Sequence, residues 1–175
     1  MNLKCLVRDI PDFPKPGILY RDITPVLADA EALQWIVNRF ADRYRGKVDA
    51  VIGIESRGFI VGTPVAYALG VGMALVRKAG KLPWNKHAVT YALEYGNDTL
   101  EMHTDALSSG DRVVVIDDLL ATGGTAEATI GLVRKVGAEV VECAFIIELA
   151  FLRGAARLDP TPCFSLVSYE TEATG

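Results

Sequence analysis

From Glu31 to Arg45 apolar residues recur at Leu33, Ile36, Val37, Phe40, Ala41 and Tyr44, with charged residues on the opposite face. That spacing predicts an amphipathic helix. Short apolar runs follow: AVIGI (50–54), GMALV (72–76), RVVVI (112–116), AEVVECAFIIEL (138–149) and CFSLVSY (163–169). Each has the length and β-branched content of a buried strand. GFIVGTPVAYALG (58–70) and TAEATIGLVRKVG (125–137) read as helices between them, the second stopping at Gly137. TYALEY and TLEMH alternate on either side of GND (96–98), the pattern of an antiparallel hairpin. RKAGKLPWNKH (77–87) is basic and aperiodic, and DFPKPGI (12–18) holds two prolines and a glycine, so both are expected to be loops. Strands alternating with helices predict an α/β domain with a mainly parallel sheet flanked by helices.

The chain has 175 residues, enough for a single domain that buries roughly 70% of its unfolded surface. Half of the residues are hydrophobic, which excludes a disordered composition. A net charge of -4 argues against a nucleic-acid or acidic-membrane partner. Cys5, Cys143 and Cys163 have no metal-ligand spacing and are expected to be reduced thiols of a cytoplasmic protein. No segment has the apolar length of a membrane span, and the N-terminus lacks the apolar core of a signal peptide.

The chemistry concentrates in VVVIDDLLATGGT (113–125), where a buried strand is expected to end at two adjacent acids. Ala121, Thr122, Gly123, Gly124 and Thr125 lie between that strand and a helix. Glycines let backbone N–H groups approach an anion, and a helix N-terminus adds partial positive charge, so the segment suits a phosphate. Asp117 and Asp118 repel phosphate but accept hydrogen bonds from vicinal hydroxyls or from water around a divalent cation. A ribose 5-phosphate satisfies both halves. The alternative makes the acids turn formers and the glycines a plain strand-to-helix turn. The P-loop pattern is missing, and GVGMAL (70–75) leads into a strand rather than a helix.

The same string resembles the phosphoribosyl pyrophosphate (PRPP) signature of the type I phosphoribosyltransferases. DFPKPGILYRDITPVL, ESRGF, RKAGKLP and YALEYG stand in the order seen in the adenine phosphoribosyltransferases, so the resemblance runs from about Ile10 to Tyr169. It implies the type I phosphoribosyltransferase fold across residues 1–175. Residues 1–30 would contribute a small hood over the base, and residues 77–104 a flexible loop and hairpin. It also implies a homodimer and the conversion of adenine and PRPP to AMP and diphosphate, with Mg²⁺ carried by PRPP or diphosphate and no direct protein ligand.

The resemblance further implies residue roles. Asp117 and Asp118 would hold the ribose hydroxyls, and residues 121–125 the 5-phosphate. Glu55, Ser56 and Arg57, with a cis peptide between the first two, would meet the diphosphate together with Arg77, Lys78 and Lys81. Leu19 and Arg21 would read adenine through backbone groups, while Tyr20 and Leu119 sandwich it. The family often has phenylalanine at the Tyr20 position. Glu94 would handle the ring proton of adenine, with Tyr95 closing over it. Read from the residues alone, Arg57 could be a surface arginine, the basic loop a solvated charge run, and Glu94 an exposed strand glutamate. His87 and His103 are expected to be ordinary surface or hairpin residues, and Trp35 a packing residue of the first helix. Two other functions remain open at this level: a phosphoribosyltransferase for another base, and a PRPP-sensing regulator that binds nucleic acid.

Overall fold

The computed structural model describes residues 1–92 and 96–172. The chain opens with β1 (Arg8–Ile10) and β2 (Tyr20–Asp22), which pair antiparallel as a sheet of their own. Arg21 anchors this small sheet. It is buried, bonded to Asp9, and stacked 4.1 Å from the centroid of the Tyr169 ring. The short helix α1 (Thr24–Ala28) follows, with Pro25 in its first turn where no N–H is needed. Neither β1, β2 nor α1 is foreseen by hydrophobic periodicity, since each is too short to display a period.

Helix α2 (Ala30–Tyr44) takes its N-cap from Asp29, whose carboxylate accepts the Ala32 N–H at 2.9 Å. Its buried side is Ala32, Ile36, Phe40, Ala41 and Tyr44, close to the stripe the spacing predicts. Then come β3 (Ala50–Ile54), α3 (Arg57–Leu69), β4 (Gly72–Lys78), and the hairpin strands β5 (Lys86–Ala92) and β6 (Asn97–His103). Next are β7 (Arg112–Leu120), α4 (Gly124–Val136), β8 (Glu139–Leu149), the single turn α5 (Gly154–Arg157) and β9 (Cys163–Tyr169). At Gly62 of α3 a Cβ would lie 3.1 Å from the Met73 methyl, closer than ordinary contact.

The strands form one sheet in the order β5-β6-β4-β3-β7-β8-β9. β4, β3, β7, β8 and β9 run parallel, and the β5–β6 hairpin joins antiparallel to the end of β4. The fold is therefore the α/β architecture the sequence predicts. Both faces of the sheet are covered. Val113 and Val115 pack on one side with Ile130, Leu132 and Val133 of α4, whereas Val114 and Ile116 pack on the other with Val61 and Val65 of α3. This two-sided burial is why the run VVVI carries no polar alternation.

From β3 the chain moves toward β4, and from β7 it moves toward β8, so the order reverses between β3 and β7. In open α/β sheets the crevice at such a reversal, outside the carboxyl ends of the strands, is where ligands bind. Ile54, Lys78 and Leu120 all end their strands on this edge.

At the opposite edge a polar cluster ties α2 to the sheet. Glu142 accepts from Arg43 Nε at 2.5 Å and Nη2 at 2.8 Å, and from the Tyr44 hydroxyl at 2.6 Å. Arg43 also covers the Phe164 ring, 3.9 Å from its centroid. Burial alone would raise the Glu142 carboxyl, but the hydrogen bonds from Arg43 and Tyr44 outweigh it and hold the group below its ordinary 4.5. A carboxylate depressed in the folded state stabilises above its unfolded value, and that contribution fades as pH falls through the folded one. Glu142→Ala strands Arg43 and Tyr44. It is expected to cost about 2–3 kcal/mol in a denaturant titration at pH 7, and less as the pH falls below 4.

Candidate active site

The site begins where β3 stops and β7 continues. β7 pairs with β8 as far as Leu120, but with β3 only as far as Ile116. Asp117, Asp118 and Leu119 therefore belong to the strand, which runs on past the acids where the sequence reading ended it, and one edge of this stretch is open. Gly58, in the first turn of α3, fits against that edge. A Cβ there would lie 2.6 Å from the Ile116 carbonyl oxygen and 3.1 Å from the Asp117 carboxylate. Only glycine lets the helix start this close.

Asp118 is buried, and its Oδ2 accepts Arg57 Nε at 2.5 Å. Asp117 is half-buried, and its Oδ1 accepts the Asp118 N–H at 2.9 Å. Burial and the neighbouring Asp118 charge push the Asp117 carboxyl well above its ordinary 3.8. Burial lowers the Arg57 guanidinium, but its bond to Asp118 more than offsets this and the net shift is upward. The Glu55–Ser56 peptide that leads into α3 is cis.

Residues 121–125 line a cavity of about 100 Å³ together with Asp117, Leu119 and Phe145. Gly123, the N-cap of α4, has no side chain to cap it, so the first turn of the helix opens beside this cavity. The loop is backed by α5, which the sequence reading did not connect with it. A Cβ on Gly154 would lie 2.2 Å from the Ala121 carbonyl oxygen. Arg157 Nε bonds Glu127 of α4 at 2.5 Å. The opposite flank is Tyr91 of β5, whose hydroxyl lies 3.4 Å from Thr125 Oγ1. A glycine before a weakly polar helical turn carries no sequence signal that it braces a distant loop.

A second cavity of about 320 Å³ shares Asp117, Leu119 and Thr125 with the first, and adds Glu55, Arg57, Lys78 and Asp98. Here the structure corrects the basic loop. Arg77 and Lys78 are the last residues of β4, and Lys86 and His87 the first of β5, which leaves 79–85 as the connection. Three of the cations are paired. Arg77 Nε bonds Glu55 at 3.0 Å, Lys78 Nζ meets Asp98 at 3.2 Å, and Lys86 meets Glu101 at 3.0 Å. Lys81 is exposed, and its carbonyl accepts Arg77 Nη1 at 3.2 Å. Glu101 also accepts the Gly80 N–H at 3.0 Å, so it pins the connection.

Leu19 and Tyr20 are half-buried in the small N-terminal sheet and its approach, and Tyr20 meets Phe13 edge-on at 5.1 Å. Leu119 lines both cavities. The Arg21 side chain bonds Asp9 and stacks on Tyr169. Glu94 and Tyr95 lie outside the described residues. His103 ends the hairpin strand β6, one of the two positions expected for it, and its Nε2 is buried without a hydrogen-bond partner among the described residues. Trp35 packs against the α2–α3 core as expected, and Trp84 is exposed.

The model of the phosphoribosyl transferase domain matches residues 22–172. An adenine phosphoribosyltransferase from Syntrophotalea carbinolica is 56% identical over 169 residues, covering 96% of this chain and 99% of that one. The chain belongs to the adenine phosphoribosyltransferase family. Among solved members, the enzyme from Thermoanaerobacter pseudethanolicus superposes with a TM-score of 0.92 at 48% identity, covering 95% of this chain and 98% of that one. The Saccharomyces cerevisiae member, solved with adenine and an imino-altritol bisphosphate, superposes with a TM-score of 0.90 at 40% identity, covering 94% and 96%.

Two outcomes test this geometry. A carboxyl raised in the folded state holds its proton after the unfolded chain has released it, so stability falls as pH rises above 3.8 until the folded group ionises. Ligand-free Asp117→Asn is therefore expected to melt a few degrees above wild type at pH 7, with the gap closing toward pH 4. Gly154→Ala drives a methyl into the Ala121 carbonyl and is expected to cost about 1–3 kcal/mol of stability, as read by thermal unfolding. The same variant should weaken ribose 5-phosphate binding in calorimetry.

Proposed function

We propose that the protein transfers the 5-phosphoribosyl group of PRPP to adenine, giving AMP and diphosphate in purine salvage. The observation that carries this reading is the junction of two cavities at the end of β7, one lined by residues 121–125 at the start of α4 and the other holding Arg57 and Lys78 in ion pairs with Asp118 and Asp98, with Asp117 common to both. That is the charge pattern of a sugar with a phosphate at one end and a diphosphate at the other. The adenine phosphoribosyltransferase relatives at 56% identity, and the Trypanosoma brucei member solved with AMP, pyrophosphate and ribose-5-phosphate, support it.

In this reading Thr122, Thr125 and the N–H groups of 121–125 hold the 5-phosphate, and Asp117 and Asp118 accept from the ribose hydroxyls. Ser56, Arg57, Lys78 and Lys81 face the diphosphate, and Arg77, held by Glu55, shapes their loop. Adenine lies between Tyr20 and Leu119, with the backbone of Leu19 and Arg21 reading its edge. The bond from C1 of the ribose to the diphosphate oxygen breaks, a bond from N9 of adenine to C1 forms, and the ring proton passes to Glu94, beside Tyr95. Positioning and electrostatic stabilisation of the leaving group supply the rate, without a covalent enzyme intermediate.

Among the described residues no group of three His, Cys, Asp or Glu side chains gathers as a metal centre. Asp118 is engaged by Arg57, and Asp117 is held toward its protonated form, so this donor set fits a cation brought in by the diphosphate. Mg²⁺ bound that way would neutralise charge on the leaving group. The proposed assembly is a homodimer in the cytoplasm. It is supported by apolar surface at Ile60 and Tyr67, one face of α3, and at Leu75 of β4, exposed by 51%, 89% and 42%. No helix among the described residues is long and apolar enough to cross a membrane.

The test is product formation from PRPP, Mg²⁺ and each purine base in turn. AMP from adenine alone is expected, and comparable turnover of hypoxanthine or guanine would reassign the base. Glu94→Gln should lower kcat about a hundredfold and leave PRPP affinity within about threefold, the split of a proton-transfer residue.

A further inference from the structure

Among the described residues that line the cavity of residues 121–125 there is one acid, Asp117, and no cation. A phosphate monoester carries a charge of about −2 at pH 7, and a helix N-terminus answers it with only about half a unit. The loop is short of positive charge, and α5 brings it from outside. The Arg157 stem lies on Gly123 and its guanidinium on Gly124. A Cβ on Gly123 would be 3.3 Å from the Arg157 Cβ, and one on Gly124 would be 3.3 Å from Nη1 and 3.6 Å from Cζ. The Tyr91 ring closes the other side of Gly124, also at 3.3 Å. Gly123 has φ 83°, but Gly124 is not among the glycines of positive φ, so its backbone does not call for glycine. Its missing side chain instead leaves the gap that the guanidinium occupies.

One bond aims the guanidinium there. Arg157 Nε donates to Glu127 Oε2 at 2.5 Å, and Glu127 stands near the start of α4. The two terminal nitrogens of Arg157 make no hydrogen bond among the described residues, and the side chain is exposed. A guanidinium carries donors on more than one edge, so a carboxylate at Nε leaves the terminal pair for a second anion. Resting on the assignment of residues 121–125 to the 5-phosphate, we propose that Arg157 is a further binding residue of that subsite, taking the phosphate monoester of the substrate on its terminal nitrogens. The turn GAAR (154–157) carries no motif that announces this role. The charge reaches the site because α5 folds onto the loop, with Gly154 against the Ala121 carbonyl.

The test is ribose 5-phosphate binding to the full chain, measured by calorimetry in the wild type, Arg157→Met and Arg157→Lys. Methionine keeps an unbranched stem over Gly123 and removes the charge, and lysine restores the charge without the fork. Arg157→Met is expected to weaken ribose 5-phosphate about tenfold or more, the worth of a charge-assisted hydrogen bond, and Arg157→Lys only about threefold. The gap between wild type and Arg157→Met should narrow as salt rises from about 0.02 M to about 0.5 M, because screening acts on charge and not on packing. Diphosphate affinity, with Mg²⁺ present throughout, should stay within about twofold of wild type in both variants, as for a separate subsite. In turnover, Arg157→Met should raise the KM for PRPP and hold kcat within about twofold, the split of binding lost equally from ground and transition states. A loss that is the same at every salt concentration and is not recovered by lysine would overturn the inference and make Arg157 a brace of the loop. Unchanged ribose 5-phosphate affinity in Arg157→Met, while Thr125→Val weakens it, would also overturn it and leave the subsite in place. If neither variant altered that affinity, the assignment of residues 121–125 would fall, and the role of Arg157 with it.

Discussion

The arrangement depends on one close contact, Gly58 of α3 against the Ile116 carbonyl of β7. β3 ends at Ile54, and its chain must turn upward into a helix beside a strand that is still running. A side chain at position 58 would push the helix away from β7. The contact instead sets the start of α3 beside the open edge of Asp117 and Asp118, within reach of the Arg57 side chain. The reversal of strand order supplies the crevice, and this contact fixes its width.

The crevice then has an electrostatic problem of its own. Two adjacent carboxyl groups stand at its floor, and cations and further acids share its rim. The structure resolves this internally. Arg57 takes Asp118, Arg77 takes Glu55 and Lys78 takes Asp98, while Asp117 is pushed toward its neutral form. These pairs are only partly buried, so each contributes little to stability and is exchangeable for a ligand at modest cost. A site for a highly charged substrate benefits from this. Its cations are already held at the rim by weak partners, and binding exchanges one set of ion pairs for another instead of gathering dispersed charges.

Much of this was legible in the sequence where periodicity or glycine carried the information. The five parallel strands, α2, α3, α4 and the β5–β6 hairpin all follow from apolar spacing. The strand-to-helix loop of residues 121–123 follows from glycines between a strand and a helix. What periodicity missed has a common physical cause: it depends on contacts between distant segments. The continuation of β7 through Leu120 is set by pairing with β8, which overrides the poor strand propensity of aspartate. Arg77 and Lys78 read as loop residues because charge disguised the end of β4, where pairing with β6 places them. Gly154 shows its role only when Ala121, more than thirty positions earlier, is found against it. The family resemblance suggests residue roles that neither spacing nor propensity expresses, and the role proposed for Glu94, which lies outside the described residues, is the clearest instance.

The appended hairpin shows why such long-range contacts belong to function and not only to packing. A parallel sheet could close at β4, yet two antiparallel strands are added to its carboxyl end. Their apolar residues Val89 and Leu100 join the core under α4, and Lys135 of α4 donates to the Ala88 carbonyl at 2.6 Å. The hairpin is thereby docked on the same helix whose N-terminus lines the cavity of residues 121–125. Tyr91 of β5 rests on Gly124 at the start of α4, and β5 is hydrogen-bonded to β6, which carries Asp98. The cations at the end of β4 are bonded to the same strand pair. A fold that needed only a core would have no reason to tie helix, hairpin and central strand together at one edge. A site that must recognise both ends of one substrate does.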